Sequence, residues 1–347
     1  METILITGGA GYIGSHTVIA LREAGFRPVI IDNLSNSNPE AISRIRELAN
    51  DPEIPFIEAD VRDADALDAI FQQYPIASVI HFAGYKAVGE SNEIPLDYYT
   101  NNLGSTFTLL EAMKRHGCFK LVFSSSATVY GSPVALPIAE DHPLSATNPY
   151  GRTKLYIEEI LRDLAASDSK WKIALLRYFN PVGAHPSSRI GESPNGRPNN
   201  LFPCVTQFIV GRLPELRVFG NDYATHDGTG VRDYLHVSDL ADGHVAAVQR
   251  LDDLQGAVPI NLGTGVGYSV LDIVKSFEKI VGHPIPCVFQ DRRPGDVAEC
   301  YANPQRAATL LGWKATRTLD EMCADSWNWQ SINPMGYEQP AKIGATV

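Results

Sequence analysis

Tyr150 and Lys154 stand four residues apart in the run Tyr150-Gly151-Arg152-Thr153-Lys154, directly after Pro149. Proline there favours the first turn of a helix, and residues four apart share one helical face, so the lysine ammonium can stand beside the phenol. A neighbouring cation favours the phenolate and lowers a pKa that is about 10 in water. Tyr150 then becomes a base usable near neutral pH. Fourteen tyrosines and ten lysines give about 0.4 such pairs by chance, so position must decide. The run Ser124-Ser125-Ser126 closes the preceding apolar segment, where the Ser126 hydroxyl can bond the same substrate hydroxyl as Tyr150. Ser125 is better suited to capping a loop.

A second constellation precedes it. Gly8-Gly9-Ala10-Gly11-Tyr12-Ile13-Gly14 satisfies both G-x-G-x-x-G and G-x-x-G-x-x-G immediately after the first apolar run. Glycines let the backbone turn tightly, approach a pyrophosphate and present helix N-terminal amides to it. Asp32 closes the second apolar run 18 residues beyond Gly14, where a carboxylate can accept both adenosine ribose hydroxyls. Asn33 and Leu34 follow instead of arginine, which favours NAD over NADP. Asp60-Val61 is placed to meet the adenine edge, and Phe82-Ala83-Gly84-Tyr85-Lys86 to lie beside the pyrophosphate and nicotinamide, both at the carboxyl ends of strand-like runs.

These residues need a scaffold of a particular kind. Short apolar runs rich in β-branched residues recur at 3–7, 29–31, 56–59, 78–82, 120–124 and 172–178. Segments of helical period separate them at 14–24, 39–49, 65–73, 95–116 and 149–166, several opened by Pro or by Asn, Ser or Asp caps. Such alternation predicts an α/β fold: a doubly wound parallel sheet with helices on both faces over residues 1–180. Beyond Pro181 the rhythm breaks into a Pro/Gly/Asn-rich stretch, 185–203, then shorter mixed elements up to a tryptophan-bearing helix near 319–330. The remainder, 181–347, is expected to form a smaller mixed α/β lobe.

The formal charge of −11 (29 Lys+Arg against 40 Asp+Glu) argues against a nucleic-acid or membrane-surface partner and leaves any anionic substrate to a few placed arginines. No stretch approaches about 18 uncharged apolar residues, and the opening residues lack a basic region, so neither a membrane span nor a signal peptide is expected. Five scattered cysteines without a C-x-x-C pair suit a reducing cytoplasm. Nine histidines without an H-x-x-x-H pair give metal catalysis little support.

The motifs together resemble the extended short-chain dehydrogenase/reductases, and within them the enzymes that epimerise UDP-hexoses at C4. The likeness runs through residues 8–16, Asp32-Asn33-Leu34, His81-Phe82-Ala83-Gly84, 124–131, 149–154, 176–186, Pro198-Asn199-Asn200-Leu201, Gly230-Val231-Arg232-Asp233-Tyr234, Asn261-Leu262-Gly263 and Arg292-Arg293-Pro294-Gly295-Asp296. It implies reversible interconversion of UDP-galactose and UDP-glucose through a transient 4-keto sugar and enzyme-bound NAD/NADH, as in galactose metabolism. To the cofactor set of Gly8, Gly11, Tyr12, Ile13, Gly14, Asp32, Asn33, Asp60, Val61, Phe82, Ala83 and Lys86 it adds Asn36, Ser37, Asn101, Ser124, Tyr150, Lys154 and Phe179. For the UDP-hexose it implies Asn180, Asn200, Leu201, Phe219, Arg232, Arg293 and Asp296 beside Ser126. It also implies that a segment at about 231–262 returns to the first domain, and that helices 95–116 and 149–166 form a homodimer.

Two alternatives bear on the chemistry. Dehydratases of this superfamily carry Asp-Glu after the strand-end Ser/Thr, whereas Ala127-Thr128 stand here. A catalytically idle NAD-binding scaffold would not need Ser126, Tyr150 and Lys154 intact. Sugar range turns on Cys300, reached by Arg-x-x-Asp-x-x-x counted from Arg293. Related enzymes restricted to glucose and galactose carry tyrosine there, and a thiol leaves room for an acetamido group at C2. UDP-N-acetylglucosamine and its galacto epimer are therefore expected substrates. In an extended segment Tyr301 faces opposite to Cys300, and a one-residue slip would put its ring on the sugar instead.

Overall fold

A computed structural model describes residues 1–338, apart from 195, 197 and 294; Pro294 of the arginine motif and residues 339–347 therefore lie outside the described residues. Six strands fall where the apolar runs predict them: β1 (Thr3–Thr7), β2 (Arg27–Asp32), β3 (Phe56–Glu58), β4 (Ile76–His81), β5 (Lys120–Ser126) and β6 (Lys172–Tyr178). Between them lie α1 (Tyr12–Glu23), α2 (Pro39–Leu48), α3 (Ala64–Gln73), α4 (Val88–Glu93), α5 (Pro95–Arg115) and α6 (Pro149–Ser167). Side chains alternate across the pleat. Ile4, Ile6, Ile30 and Ile80 pack with α1 and α2, while Leu5, Val29, Ile31 and Val79 pack with α3, α5 and α6.

The chain then builds β7 (Asn180–Val182), α7 (Leu201–Ile209), β8 (Leu216–Phe219), β9 (Val231–His236), α8 (Val237–Arg250) and β10 (Gly256–Leu262). It ends in β11 (Gly267–Ser269), α9 (Val270–Val281), β12 (Cys287–Gln290), β13 (Glu299–Cys300), α10 (Gln305–Leu311) and α11 (Leu319–Ile332). The large sheet is parallel throughout in the order β10-β6-β5-β4-β1-β2-β3, so the order reverses between β1 and β4, where ligands bind in open sheets. The segment 231–262 divides. β10 enters the large sheet beside β6 and α8 packs its apolar face into the same core, whereas β9 joins β7, β11 and β13 in a smaller mixed sheet. That sheet's core gathers Val182, Phe202, Tyr234, Phe277 and Met322 under α7, α9 and α11.

One polar contact pins α6 to the sheet. Glu158 on α6 and Arg177 on β6 are both fully buried, with Arg177 Nη2 2.5 Å and Nε 2.9 Å from the two carboxylate oxygens. Ser125 on β5 donates to the same carboxylate at 2.5 Å. Removing one partner of such a pair strands the other's charge away from water. Glu158→Gln is therefore expected to lower the unfolding free energy by about 3 kcal/mol, while Glu158→Leu combined with Arg177→Leu recovers most of that loss. Urea unfolding checks this; a single variant within about 0.5 kcal/mol of wild type would refute it.

Candidate active site

The carboxyl end of β1 runs straight into the glycine loop. Gly8 adopts φ +71°, and a Cβ there would lie 2.8 Å from the Ala83 amide nitrogen. At Gly14 a Cβ would meet the Gly8 carbonyl oxygen at 2.3 Å. Only hydrogen fits at either position. Gly11 is the N-cap of α1 and no side chain caps the helix, so its first-turn amides face the crevice, with Tyr12 and Ile13 opening the helix. A pyrophosphate fits such a cradle. At the end of β2, Asp32 is buried; its Oδ2 accepts the Ala10 amide at 3.0 Å, and its Oδ1 accepts the Leu34 amide and the Ser37 hydroxyl, each at 2.9 Å. A carboxylate has about four acceptor positions, so ribose hydroxyls can still be received. Asn36 is exposed in the same turn.

Around the rest of this crevice the expected residues converge unevenly. Asp60 is claimed by its neighbours: Arg62 grips it at 2.8 and 2.9 Å and Asn33 donates at 3.0 Å, and the Arg62 hydrogen bond chiefly holds its carboxyl down at about 2. Val61 beside it is buried. The Ala83 amide donates to Thr7, and the Phe82 ring packs on His244 at 4.7 Å. Asn101 donates to Asn102.

The reactive pair opens α6. Asn148 caps the helix by accepting the Gly151 amide at 2.8 Å, and Pro149 occupies the first turn. Lys154 is buried; its ammonium donates to the Ser124 carbonyl at 2.6 Å and lies 5.0 Å from the Phe123 ring and 5.9 Å from the Tyr150 ring centre. The Ser126 hydroxyl accepts from the amide and hydroxyl of Thr128, which leaves its own proton for Tyr150. Burial raises the Tyr150 pKa, opposed only by the Ser126 hydrogen bond, and lowers Lys154 to about 8. In the protein alone, desolvation thus favours the neutral form of both groups.

A second group lies on and around the small sheet, with Arg232 on β9, Cys300 on β13, Asn180 on β7, and Arg293 and Asp296 in the loop before β13. Arg232 Nη1 is held by the carbonyls of Val231 at 2.9 Å and Val297 at 2.8 Å, and Nη2 lies 3.8 Å from Asp296. The Arg293 guanidinium stacks on Phe219 at 3.8 Å from the ring centre. Asn180 stands opposite Tyr234 on the neighbouring strand β7. Cys300 pairs in register with Arg232 and packs with Val129, Tyr130 and Phe179, and burial raises its thiol to about 11. The adjacent Tyr301 ring lies beside Gly267, where an added Cβ would come within 3.2 Å of it. Asn200 and Leu201 begin α7, where the Asn200 amide bonds Glu192. Lys86 reaches that same carboxylate.

Several residues here carry no motif. Asn102 accepts the Tyr85 amide at 2.7 Å and donates to Thr153, whose hydroxyl bonds the Tyr150 carbonyl, so the loop after β4 and the catalytic turn are tied together. Glu158 carries no signal of its own in the sequence, and Arg177 enters there only as part of the 176–186 likeness. Burial of the whole helical face was the missing information.

Known proteins share this arrangement along nearly the entire chain. A family model described as GDP-mannose 4,6 dehydratase matches residues 5–326. A UDP-glucose 4-epimerase of Bacillus subtilis is 60% identical over 335 residues, 96% of this chain and 98% of that one. The crystal structure of a UDP-glucose 4-epimerase from Bifidobacterium longum with NAD+ and UDP superimposes with a TM-score of 0.93 at 52% identity, covering 96% of this chain and all of that one. One from Stenotrophomonas maltophila, with NAD and formylated UDP-arabinopyranose, gives 0.94 at 48% identity over 96% of this chain and 99% of that one. On this near-full-length likeness the chain belongs to the UDP-glucose 4-epimerase family of the extended short-chain dehydrogenase/reductases.

Proposed function

We propose that this protein interconverts UDP-galactose and UDP-glucose at C4, using tightly held NAD. The observation that carries the reading is the set of ties around Tyr150: Gly8 of the glycine loop abuts Ala83, the loop after β4 is bonded through Asn102 and Thr153 to the Tyr150 turn, and Cys300, in register with Arg232, packs on Val129 just beyond Ser126. Residues 1–180 with α8 and β10 form the NAD lobe, and the rest of 181–347 the UDP-sugar lobe. When bound, NAD supplies a hydride acceptor and a positive nicotinamide charge that counters the burial of Tyr150. Tyr150 takes the proton of the sugar 4-hydroxyl as the C4 hydrogen leaves as hydride. Ser126 orients that hydroxyl and Lys154 holds charge beside the phenol. The resulting 4-keto sugar receives the hydride on its opposite face, and Tyr150 returns the proton. Arg232 and Arg293 grip the diphosphate, Asp296, Phe219, Asn180, Asn200 and Leu201 the rest of the nucleotide, leaving the hexose free to turn.

The proposal extends to substrate range, assembly and location. The small thiol of Cys300 on the Phe179 side supports acceptance of UDP-N-acetylglucosamine and UDP-N-acetylgalactosamine. A homodimer through α5 and α6 is supported by their exposed Leu96, Phe107 and Tyr156, with Tyr156 stacked on Tyr99 at 6.2 Å. No helix among the described residues is long and apolar enough to cross a membrane, and Cys118, Cys287, Cys300 and Cys323 are free thiols, in keeping with a reducing cytoplasm.

Purified protein incubated with UDP-galactose and no added NAD should yield UDP-glucose, and should release NAD on denaturation. Tyr150→Phe should slow turnover by about a hundredfold or more while UDP affinity holds. No interconversion by wild type, even with NAD supplied, would sink the assignment. Cys300→Tyr should abolish turnover of UDP-N-acetylglucosamine and spare UDP-galactose; a wild type inert toward the N-acetylated sugar removes Cys300 as the gate. Light scattering at micromolar concentration should give twice the chain mass of 37.9 kDa, and Phe107→Glu should halve it. A monomeric wild type contradicts the proposed dimer.

A further inference from the structure

Glu192 stands where the two lobes meet, and the reaction proposed above gives it no task. Its side chain is only 10% exposed, and a single carboxylate oxygen, Oε1, receives donors from both lobes. The Lys86 ammonium reaches it at 3.4 Å from the loop after β4. The Asn200 amide donates to it at 2.8 Å from the start of α7. The backbone of Glu192 is fixed independently, because its carbonyl accepts the Trp329 indole N–H of α11 at 3.0 Å. Nearby, the Tyr12 hydroxyl at the start of α1 bonds the Gly183 carbonyl at 2.7 Å, a direct tie between the glycine loop and the segment after β7.

A carboxylate drawn out of water is tolerated only while it is paired. Two donors on one oxygen therefore do not act independently. Losing the Lys86 charge leaves Glu192 an uncompensated anion that holds the Asn200 amide more firmly and repels an approaching diphosphate. Losing the Asn200 bond leaves Lys86 as the main counter-charge and draws it away from the crevice. We infer that Glu192 is a positioning residue that joins the cofactor loop to the nucleotide-binding segment, so that each site responds to the state of the other through one carboxylate oxygen. The inference rests on the proposed places of Lys86 at NAD and Asn200 at UDP.

The test is a double-mutant cycle read by calorimetric titration of UDP into NAD-loaded protein. Its members are wild type, Lys86→Met, Glu192→Gln and the two changes combined. Glutamine keeps an oxygen for Asn200 but removes the charge that Lys86 answers. Lys86→Met should weaken UDP binding about threefold or more in the wild-type background and by less than about 1.5-fold in the Glu192→Gln background. Equal shifts in both backgrounds, as a direct long-range pull of Lys86 on the diphosphate would give, overturn the inference, and so does no shift in either. A purely structural Glu192 would lower the thermal midpoint and leave the Lys86 effect intact. If Glu192→Gln does not fold, the cycle of Lys86→Met with Asn200→Ala replaces it, and additive effects there are equally fatal. Wild type that takes up NAD but no UDP would overturn the nucleotide-sugar reading, and the interlock with it.

Discussion

Everything at this site is referenced to the buried carboxylate of Glu158. It fastens the catalytic helix to β5 through Ser125 and to β6 through Arg177, and the network continues outward. Arg177 also donates to the Tyr130 hydroxyl, which donates in turn to Asn261 on β10 at 2.6 Å. Asn261 is bonded to Glu140 and Ile138, and the Ile138 amide to the Tyr301 carbonyl, one residue from Cys300. A path of hydrogen bonds thus runs from α6, which carries Tyr150, to the segment of Cys300 and Tyr301. Low local dielectric makes such a network strong when every member is satisfied and costly when one is missing. Burial of charge here contributes geometric definition more than raw stability.

Electrostatic economy explains the other half of the crevice. On a chain of net charge −11, an arginine paired with a carboxylate would offer a diphosphate little. Arg232 is instead oriented by neutral backbone carbonyls, with Asp296 no nearer than 3.8 Å, and Arg293 is oriented by the face of Phe219. Both keep forked donors and charge in reserve for an anion. The opposite arrangement holds around His81. Burial, with a smaller contribution from Lys154, pushes that ring down to about 3, and it serves as a neutral bridge between Thr7 and Thr106 beneath the pair.

How much of this was legible in the sequence follows from the range of each interaction. β1 and β6 were readable to the residue because each is built on an apolar run, Ile4-Leu5-Ile6 and Ile173-Ala174-Leu175-Leu176, and the glycine loop because its demands are local. β10 was not, since Gly256-Ala257-Val258-Pro259-Ile260-Asn261-Leu262 mixes glycine, proline and asparagine into a strand. Proline is tolerated there because β10 is an edge strand paired only with β6. Glu158, Asn102 and Glu192 each take their meaning from a partner far along the chain, Arg177 at 19 residues, Thr153 at 51 and Lys86 at 106, which periodicity does not reveal. The desolvation that raises the Tyr150 pKa in the protein alone is a property of the packed site and leaves no trace in spacing.

The late arrival of β10 also shapes the history of each molecule. A nascent chain that has emerged only as far as β6 ends its sheet in a raw edge, with Ile173, Leu175 and Leu176 flanking unpaired amides and carbonyls. That edge is satisfied only after the intervening small-sheet segments and α8 have left the ribosome. The lobe that reads as the first half of the gene product is therefore completed by its second half. Synthesis leaves a window in which an open parallel edge must be shielded by a chaperone or by rapid onward translation. The chain cannot be cut after β6 without leaving that window open permanently.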